Sequence, residues 1–369
     1  MRGVHHASRP RPLVIAHRGA SGYRPEHSAS AVRLGFAQGA DAVEPDLVAS
    51  SDGVLVIRHE NELSGTTDVA HRPEFADRRA TRVVDGVERT GWFTEDMTWA
   101  EIRTLRCRER IPAARPASAA HDDEETVLSL PDLLRIIDQE STRLGRPFGM
   151  VAEIKHATHF AGLGMPLDEL LARDLEAHGW ASDASRLTIE SFERDVLLRV
   201  RERGVQARLV YLLEGRGAAI DEVARHGDGA ITFDEQLTDA GLAALAADVD
   251  GISVGVERIC AAAGFRGVAH AGDAPVSDLV ERAHRVGLSV FTWTLRPENA
   301  FLPRPLRGPG AQSDHGDHRA HWGRLLDAGV DGVFADHPDL AVRLVADRAD
   351  AADAADAADA ADGADGVAR

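Results

Sequence analysis

An α/β fold, the (β/α)8 or TIM barrel, is what the sequence predicts, and three observations predict it. Short apolar runs at residues 13–16, 42–48, 148–155, 186–192, 207–213, 251–255, 289–295 and 332–335 read as eight buried strands. Helix-like segments lie between them, among them 28–38, 167–178, 193–203, 242–247 and 276–286, so strand and helix alternate as in a parallel sheet wrapped by helices. The polar residues suited to chemistry stand where the strands end, the face on which such a barrel carries its active site. A chain of 369 residues with 44% hydrophobic content can fill one such domain over residues 1–345. An extended insertion at 60–125, after the second strand, and a tail at 346–369 complete the organisation.

The first strand stops abruptly at His17-Arg18-Gly19 and so delivers two polar side chains to its C-terminal end. Ser28 can cap the helix that follows, Val32 and Phe36 share one of its faces, and Gly39 supplies the stop. In the second strand Glu44 and Asp46 are two residues apart and therefore emerge on one face. Two carboxylates side by side on a buried strand repel each other and lose hydration. Such a pair persists around a cation or by sharing a proton, and the cation is the reading favoured here over a plain solvated edge strand. The turn at Ser51-Asp52-Gly53 folds the run 54–57 back as a hairpin that carries His59 to the rim of His17. Among 17 histidines a single one says little. A histidine ending each of two neighbouring strands, beside a carboxylate pair, is the set expected for a metal-assisted displacement with a general acid and a general base.

The insertion is far longer than an ordinary strand-to-helix connection and must carry structure of its own. Residues 61–96 read as an ordered excursion over the rim, either a substrate lid or an ornament. Thr98 to Glu101 fits a capping box, residues 112–123 read as an exposed loop, and Ser129 opens an amphipathic helix striped by Leu133, Leu134, Ile136 and Ile137. The third strand repeats the logic of the second, with Glu153 and Lys155 two apart on one face. Trp293 lies near the end of the seventh strand, and 296–321 is a second long loop. The Ala-Ala-Asp repeats after residue 345 have period three and no apolar face larger than alanine, which predicts a disordered tail.

Composition excludes several function classes. A formal net charge of −18 argues against nucleic acid or an anionic membrane as partner. No G-x-G-x-x-G follows the first strand and no Walker loop exists, which disfavours dinucleotide and nucleoside triphosphate sites. Cys107 and Cys260 are far apart and outside any C-x-x-C spacing, so buried free thiols are expected. The first twelve residues carry charge without an apolar stretch, and no run reaches the roughly 18 apolar residues of a membrane span. A cytoplasmic protein without stable membrane association is the expectation; oligomeric state is not legible.

The segments AHRGASGYRPEH, GADAVEPDL and DGVLVIRHE, followed by AEIKH, SFE, FTWTLR and DGVFADHPDLAV, resemble the signature of the glycerophosphodiester phosphodiesterase family, in its longer bacterial branch. The resemblance covers nearly the whole chain short of the tail. It implies His17 and His59 as the acid–base pair, Arg18 and Lys155 on the substrate phosphate, and Trp293 on the glycerol unit. It further implies Glu44, Asp46 and Glu153 as ligands of one divalent ion, Ca2+ or Mg2+, with Glu26 as a supporting acid. Ser28 stands where the family usually has Thr, and Glu60 where it usually has Asp; both keep the functional group. The implied activity is metal-dependent hydrolysis of small glycerophosphodiesters, such as glycerophosphocholine and glycerophosphoethanolamine, to sn-glycerol 3-phosphate and an alcohol. One rival is a lysophospholipase D or phospholipase C-like hydrolase of longer lipids, which needs an apolar channel. The other is a barrel that binds phosphodiesters without turnover, which has no use for two proton-transfer groups.

Overall fold

Among the described residues there are twelve strands: β1 (Leu13–His17), β2 (Ala42–Glu44), β3 (Asp46–Ala49), β4 (Leu55–Ile57), β5 (Ala80–Val84), β6 (Val87–Gly91), β7 (Gly149–Ile154), β8 (Leu187–Ser191), β9 (Arg208–Leu213), β10 (Gly251–Gly255), β11 (Ser289–Leu295) and β12 (Gly332–Ala335). The computed structural model describes residues 11–260 and 276–365. The first ten residues of the N-terminal segment read above as lacking an apolar stretch, and the last four residues of the tail, lie outside them.

The parallel sheet runs β2-β1-β12-β11-β10-β9-β8-β7 and closes through β2 on β7. Pro45, with no N–H to give the ladder, divides the predicted second strand into β2 and β3. The register on β7 nevertheless runs unbroken, with Ala42 opposite Gly149 and Asp46 opposite Glu153, so the two pieces act as one barrel strand. Eight parallel strands therefore close a TIM barrel at the eight predicted places. β4 returns antiparallel on β3, Leu47 facing Ile57, as the predicted hairpin.

Alternation along the strands builds a floor and a site above it. Ile15, Ala42, Val151, Val210, Phe291 and Phe334 fill the barrel interior as one apolar cluster. Two residues further along four of these strands stand His17, Glu44, Glu153 and Trp293, on the same inward face one layer higher. Outside the sheet, the helices pack on a second and larger core. The helix Ala29–Ala37 is capped by Ser28, and Leu130–Leu144 opens on a Ser129/Asp132 capping box and ends at left-handed Gly145. Trp99–Ile102 carries the Thr98/Glu101 box where the sequence placed it.

The insertion is part of this core, because Val69, Phe75, Trp92, Met97, Ile102 and Leu105 join it. Residues 112–123 depart from the exposed loop expected of them. They hold a short helix, Pro116–Ala119, with Arg115 and Ser118 buried. The partners that bury Arg115 lie at Glu298 and Asp336, beyond the reach of a local reading. Cys107 and Cys260 are free and buried. Among the described residues no helix is long and apolar enough to cross a membrane.

The final helix, Pro338–Asp365, continues into the segment where the sequence predicts no ordered structure. Alanine has the highest helix propensity and sustains the helix without a docked face. Among the described residues Leu344 and Val345 are its last buried ones, and beyond them the surface pairs Arg319–Asp347 (2.6 Å) and Arg348–Asp327 link it to the preceding helix. Exposed ion pairs contribute about 0–1 kcal/mol each. Ending the chain after Arg348 should therefore leave the melting temperature within about 2 °C of the full chain by scanning calorimetry; a loss of several degrees would mean that the tail docks.

Candidate active site

Strand register sets the ring of charged groups at the C-terminal rim. His17 lies opposite Glu44 across β1 and β2, Asp46 opposite Glu153 across β3 and β7, and Glu153 opposite Glu190 across β7 and β8. All of them but Asp46 border a cavity of about 630 Å3 whose wall includes His17, Arg18, Glu44, His59, Glu153, Lys155 and Trp293. Asp46 is fully buried beneath it, and Glu26 lines a smaller adjoining cavity of about 80 Å3. The hairpin does bring His59 to the rim that holds His17.

The carboxylates outnumber the cations that face them. Atoms of His27, Glu44 and Asp46 lie within 4.8 Å of one another, and so do atoms of Glu44, Glu153 and Glu190. The expected trio of Glu44, Asp46 and Glu153 is thus divided between two overlapping groups that share Glu44. Glu44 Oε1, both Asp46 oxygens and Glu190 Oε2 are buried without a hydrogen-bond partner. Arg18 Nε lies 3.2 Å from Asp46, and Lys155 Nζ lies 2.7 Å from Glu153 and 3.8 Å from Asp46. Burial and the Asp46 charge push the Glu44 carboxyl well above its usual range, and burial with Glu153 and Asp46 does the same to Glu190. Burial, against the opposing pull of Lys155, raises Glu153 to about 7. Burial disfavours ionisation of Asp46 as well, but His59, Arg18, His27 and Lys155 hold it well below the usual range. Hard, partnerless oxygens in excess negative charge are the donor set of a divalent cation, and these residues fit one.

Both histidines are fixed through Nδ1. His17 Nδ1 lies 2.5 Å from Asp336 Oδ1, and His59 Nδ1 lies 2.6 Å from Glu60 Oε1. Burial lowers His17 to about 4, with Arg18 adding to the effect, and burial with Arg18 and Lys155 lowers His59 to about 3. At neutral pH each ring is uncharged. Asp336 and Glu60 resist the effect of burial and stay ionised, Asp336 through Arg115, Arg296 and His17, and Glu60 through His59 and Arg110. An ionised carboxylate has no proton to give, so each Nδ1 donates and each Nε2 keeps its lone pair for proton exchange. Lys155 Nζ, 3.3 Å from His59 Nε2, is placed to donate to that lone pair.

The backbone around Arg18 is bent to serve the site. Arg18 and His27 both adopt φ +61, a region costly for residues with a side chain, and Gly19 at φ +84 lies so close to Ala31 that a Cβ would meet its backbone at 2.6 Å. The turn aims the Arg18 N–H at Glu44 Oε2 (3.0 Å) and its guanidinium at Glu26 (3.2 and 3.3 Å). Trp293 meets Phe192 edge to face at 5.9 Å, an aromatic corner on the cavity wall. Sequence reasoning missed Glu190, His27, Asp336, Arg110 and Arg115. Glu190 had a usable signal, since it lies near the end of the predicted strand 186–192, next to the one carrying Glu153.

The chain matches the family model of the glycerophosphoryl diester phosphodiesterase family over residues 17–340. It is 29% identical over 341 residues to the Arabidopsis thaliana glycerophosphodiester phosphodiesterase GDPD6, covering 88% of this chain and 84% of that one. Against the glycerophosphodiester phosphodiesterase of Haemophilus influenzae it is 28% identical over 217 residues, 54% of this chain and 56% of that protein. A phosphodiesterase from Oleispira antarctica, solved with the product sn-glycerol-3-phosphate, has the same fold at TM-score 0.56 and 21% identity, covering 91% of this chain and 97% of that one.

The raised carboxyls set a pH-dependent response to metal. A carboxyl whose pKa is higher folded than unfolded makes folding less favourable as pH rises from its ordinary value of 4.5 through about 7 for Glu153. A cation bound there takes the place of the protons. Millimolar Mg2+ or Ca2+ should raise the melting temperature more at pH 8 than at pH 5; an equal shift, or none, would contradict a carboxylate metal site.

Proposed function

The chain belongs to the glycerophosphoryl diester phosphodiesterase family, a class of phosphoric diester hydrolases, and we propose that it cleaves small glycerophosphodiesters such as glycerophosphocholine and glycerophosphoethanolamine to sn-glycerol 3-phosphate and an alcohol. The observation that carries this reading is the pair of neutral histidines, each with its Nδ1 tied to an ionised carboxylate, on one cavity that also holds Arg18 and the carboxylate ring. The product bound to the Oleispira antarctica enzyme supports the choice of product.

A divalent ion held by Glu44, Asp46 and Glu153, with Glu190 and His27 beside them, would supply Lewis acidity toward a phosphate oxygen. Arg18 and Lys155 neutralise the charge of the diester. The same two cations depress His59, and Arg18 depresses His17, so an anionic phosphate among them raises the proton affinity of both rings. One ring then takes the proton of the attacking oxygen through Nε2, and the other protonates the leaving alkoxide. Trp293 and Phe192 offer the carbon face of the glycerol an apolar wall. The cavity wall carries the charged Asp85, Glu214, Arg216 and Glu257 alongside the apolar Leu212, Ile220, Phe233 and Val256, so hydrolysis of a longer lipid is the second reading. A non-catalytic binder would not need two oriented histidines.

The direct test is glycerol 3-phosphate release from glycerophosphocholine with and without chelator: release that requires added divalent metal supports the reading, and release in excess chelator removes the metal from it. The histidines separate by leaving group. Alanine at the acid should lower the rate on glycerophosphocholine by roughly 10^2 to 10^4 fold and far less on a nitrophenyl glycerophosphate, whose phenolate leaves without a proton. Alanine at the base should slow both substrates alike. Equal losses for both variants on both substrates would sink the division of roles.

A further inference from the structure

The carboxylates behind the two histidines are themselves held by one short stretch of the insertion. Residues 108–123 close on themselves through the Arg108–Asp123 pair (2.8 Å), the Glu109 N–H on Asp122 (2.7 Å) and the Ser118 hydroxyl on Glu109 (2.5 Å). This strap projects two arginines. Arg110 grips Glu60 with Nη1 at 2.9 Å and Nη2 at 2.7 Å, and Glu26 with Nε at 2.8 Å and Nη2 at 2.7 Å. Arg115 donates to Asp336 through Nη2, to Glu298 through Nε at 2.7 Å and to the Ser21 carbonyl at 3.2 Å. Glu60 is the partner of His59 and Asp336 the partner of His17. Each histidine is therefore backed by a carboxylate and each carboxylate by an arginine of the same strap.

Neither arginine borders the large cavity; both line the smaller one behind His17 and Arg18. Their action on substrate must run through the carboxylates. A carboxylate with one N–H partner is free to turn; Glu60 takes a guanidinium fork from Arg110, and Asp336 Oδ2 takes one N–H from Arg115, itself anchored on Glu298, and one from Arg296 at 2.7 Å, so each plane is fixed and with it the lone pair that meets the imidazole.

We propose that Arg110 and Arg115 are positioning residues for the hydrolysis, and that the strap 108–123 locks both histidines in the Nδ1–H tautomer with Nε2 facing the cavity. The proposal rests on the assignment of proton transfer to His17 and His59. The second contact of Arg110 distinguishes the two arginines. Through Glu26 it also steadies Arg18, so its loss should weaken substrate binding as well as turnover, whereas Arg115 should act on turnover alone.

The test combines histidine nitrogen NMR with steady-state kinetics on full-length Arg110→Met and Arg115→Met. In the unaltered protein both rings should show a single Nδ1–H tautomer. Arg110→Met should give His59 a mixture of tautomers and leave His17 unchanged, lower kcat on glycerophosphocholine by about 10- to 100-fold and raise KM. Arg115→Met should disturb His17 alone and lower kcat by a similar factor with KM unchanged. Should Arg115→Met fail to fold, Arg115→Lys keeps the charge, cannot bridge Asp336 and Glu298 with separate nitrogens, and should shift His17 in the same way. Activity that falls while both tautomers stay fixed, or a disturbance of both rings in either variant, would overturn the proposal and leave the strap a structural support. Tautomers that shift as stated with kcat unaltered would uphold the strap's control of the rings and remove the proton-transfer assignment instead.

Discussion

Four carboxylates, Glu44, Asp46, Glu153 and Glu190, are buried within a few ångströms at one end of the barrel, and the arrangement of the site follows from holding them there. Removing such groups from water is costly, and their mutual repulsion in a weakly screened interior adds to the cost. Arg18 and Lys155 offset part of it through Asp46 and Glu153. Burial still holds Glu44, Glu153 and Glu190 above their usual range, which is the remainder a cation would offset.

The barrel makes that crowding possible. Ile15, Val151 and Phe291 plug the interior, and the period of two places His17, Glu153 and Trp293 directly above the plug. Pro45 interrupts the ladder between Glu44 and Asp46 without shifting its register, so both acids remain on the ring. The turn after β1 then carries Arg18 and His27 into left-handed conformations that close over the ring from the side. Local strain of about 1–3 kcal/mol at each such residue is tolerable only where the surrounding packing fixes it, and here it coincides with contacts to Glu44 and Asp46.

What was legible in the sequence follows a physical line. Residues on strand ends could be placed, because alternation fixes the face and the strand fixes the end: His17, Glu44, Asp46, Glu153, Lys155 and Trp293 all stand at the rim or directly beneath it. Residues whose position depends on an irregular turn or a distant closure could not. His27 reaches Asp46 from a turn in which it has a positive φ, and Asp336 reaches His17 across 319 positions, through the pairing of β1 with β12. Arg115 sits among alanines and charged residues that read as a solvated loop, and its burial depends on partners from two other strand ends. The tail shows the reverse case, where the repeat has no apolar residue larger than alanine yet the helix, in keeping with the high propensity of alanine, runs to Asp365.

The claim on which the account depends is that the carboxylate ring holds a single divalent ion beside the two histidines. Anomalous scattering from a crystal of the full-length protein grown with Mn2+ measures this directly. The account predicts one strong peak bounded by Glu44, Asp46 and Glu153 oxygens, within reach of Glu190. An ordered ring without a peak, or a peak bound only by surface acids, would contradict it.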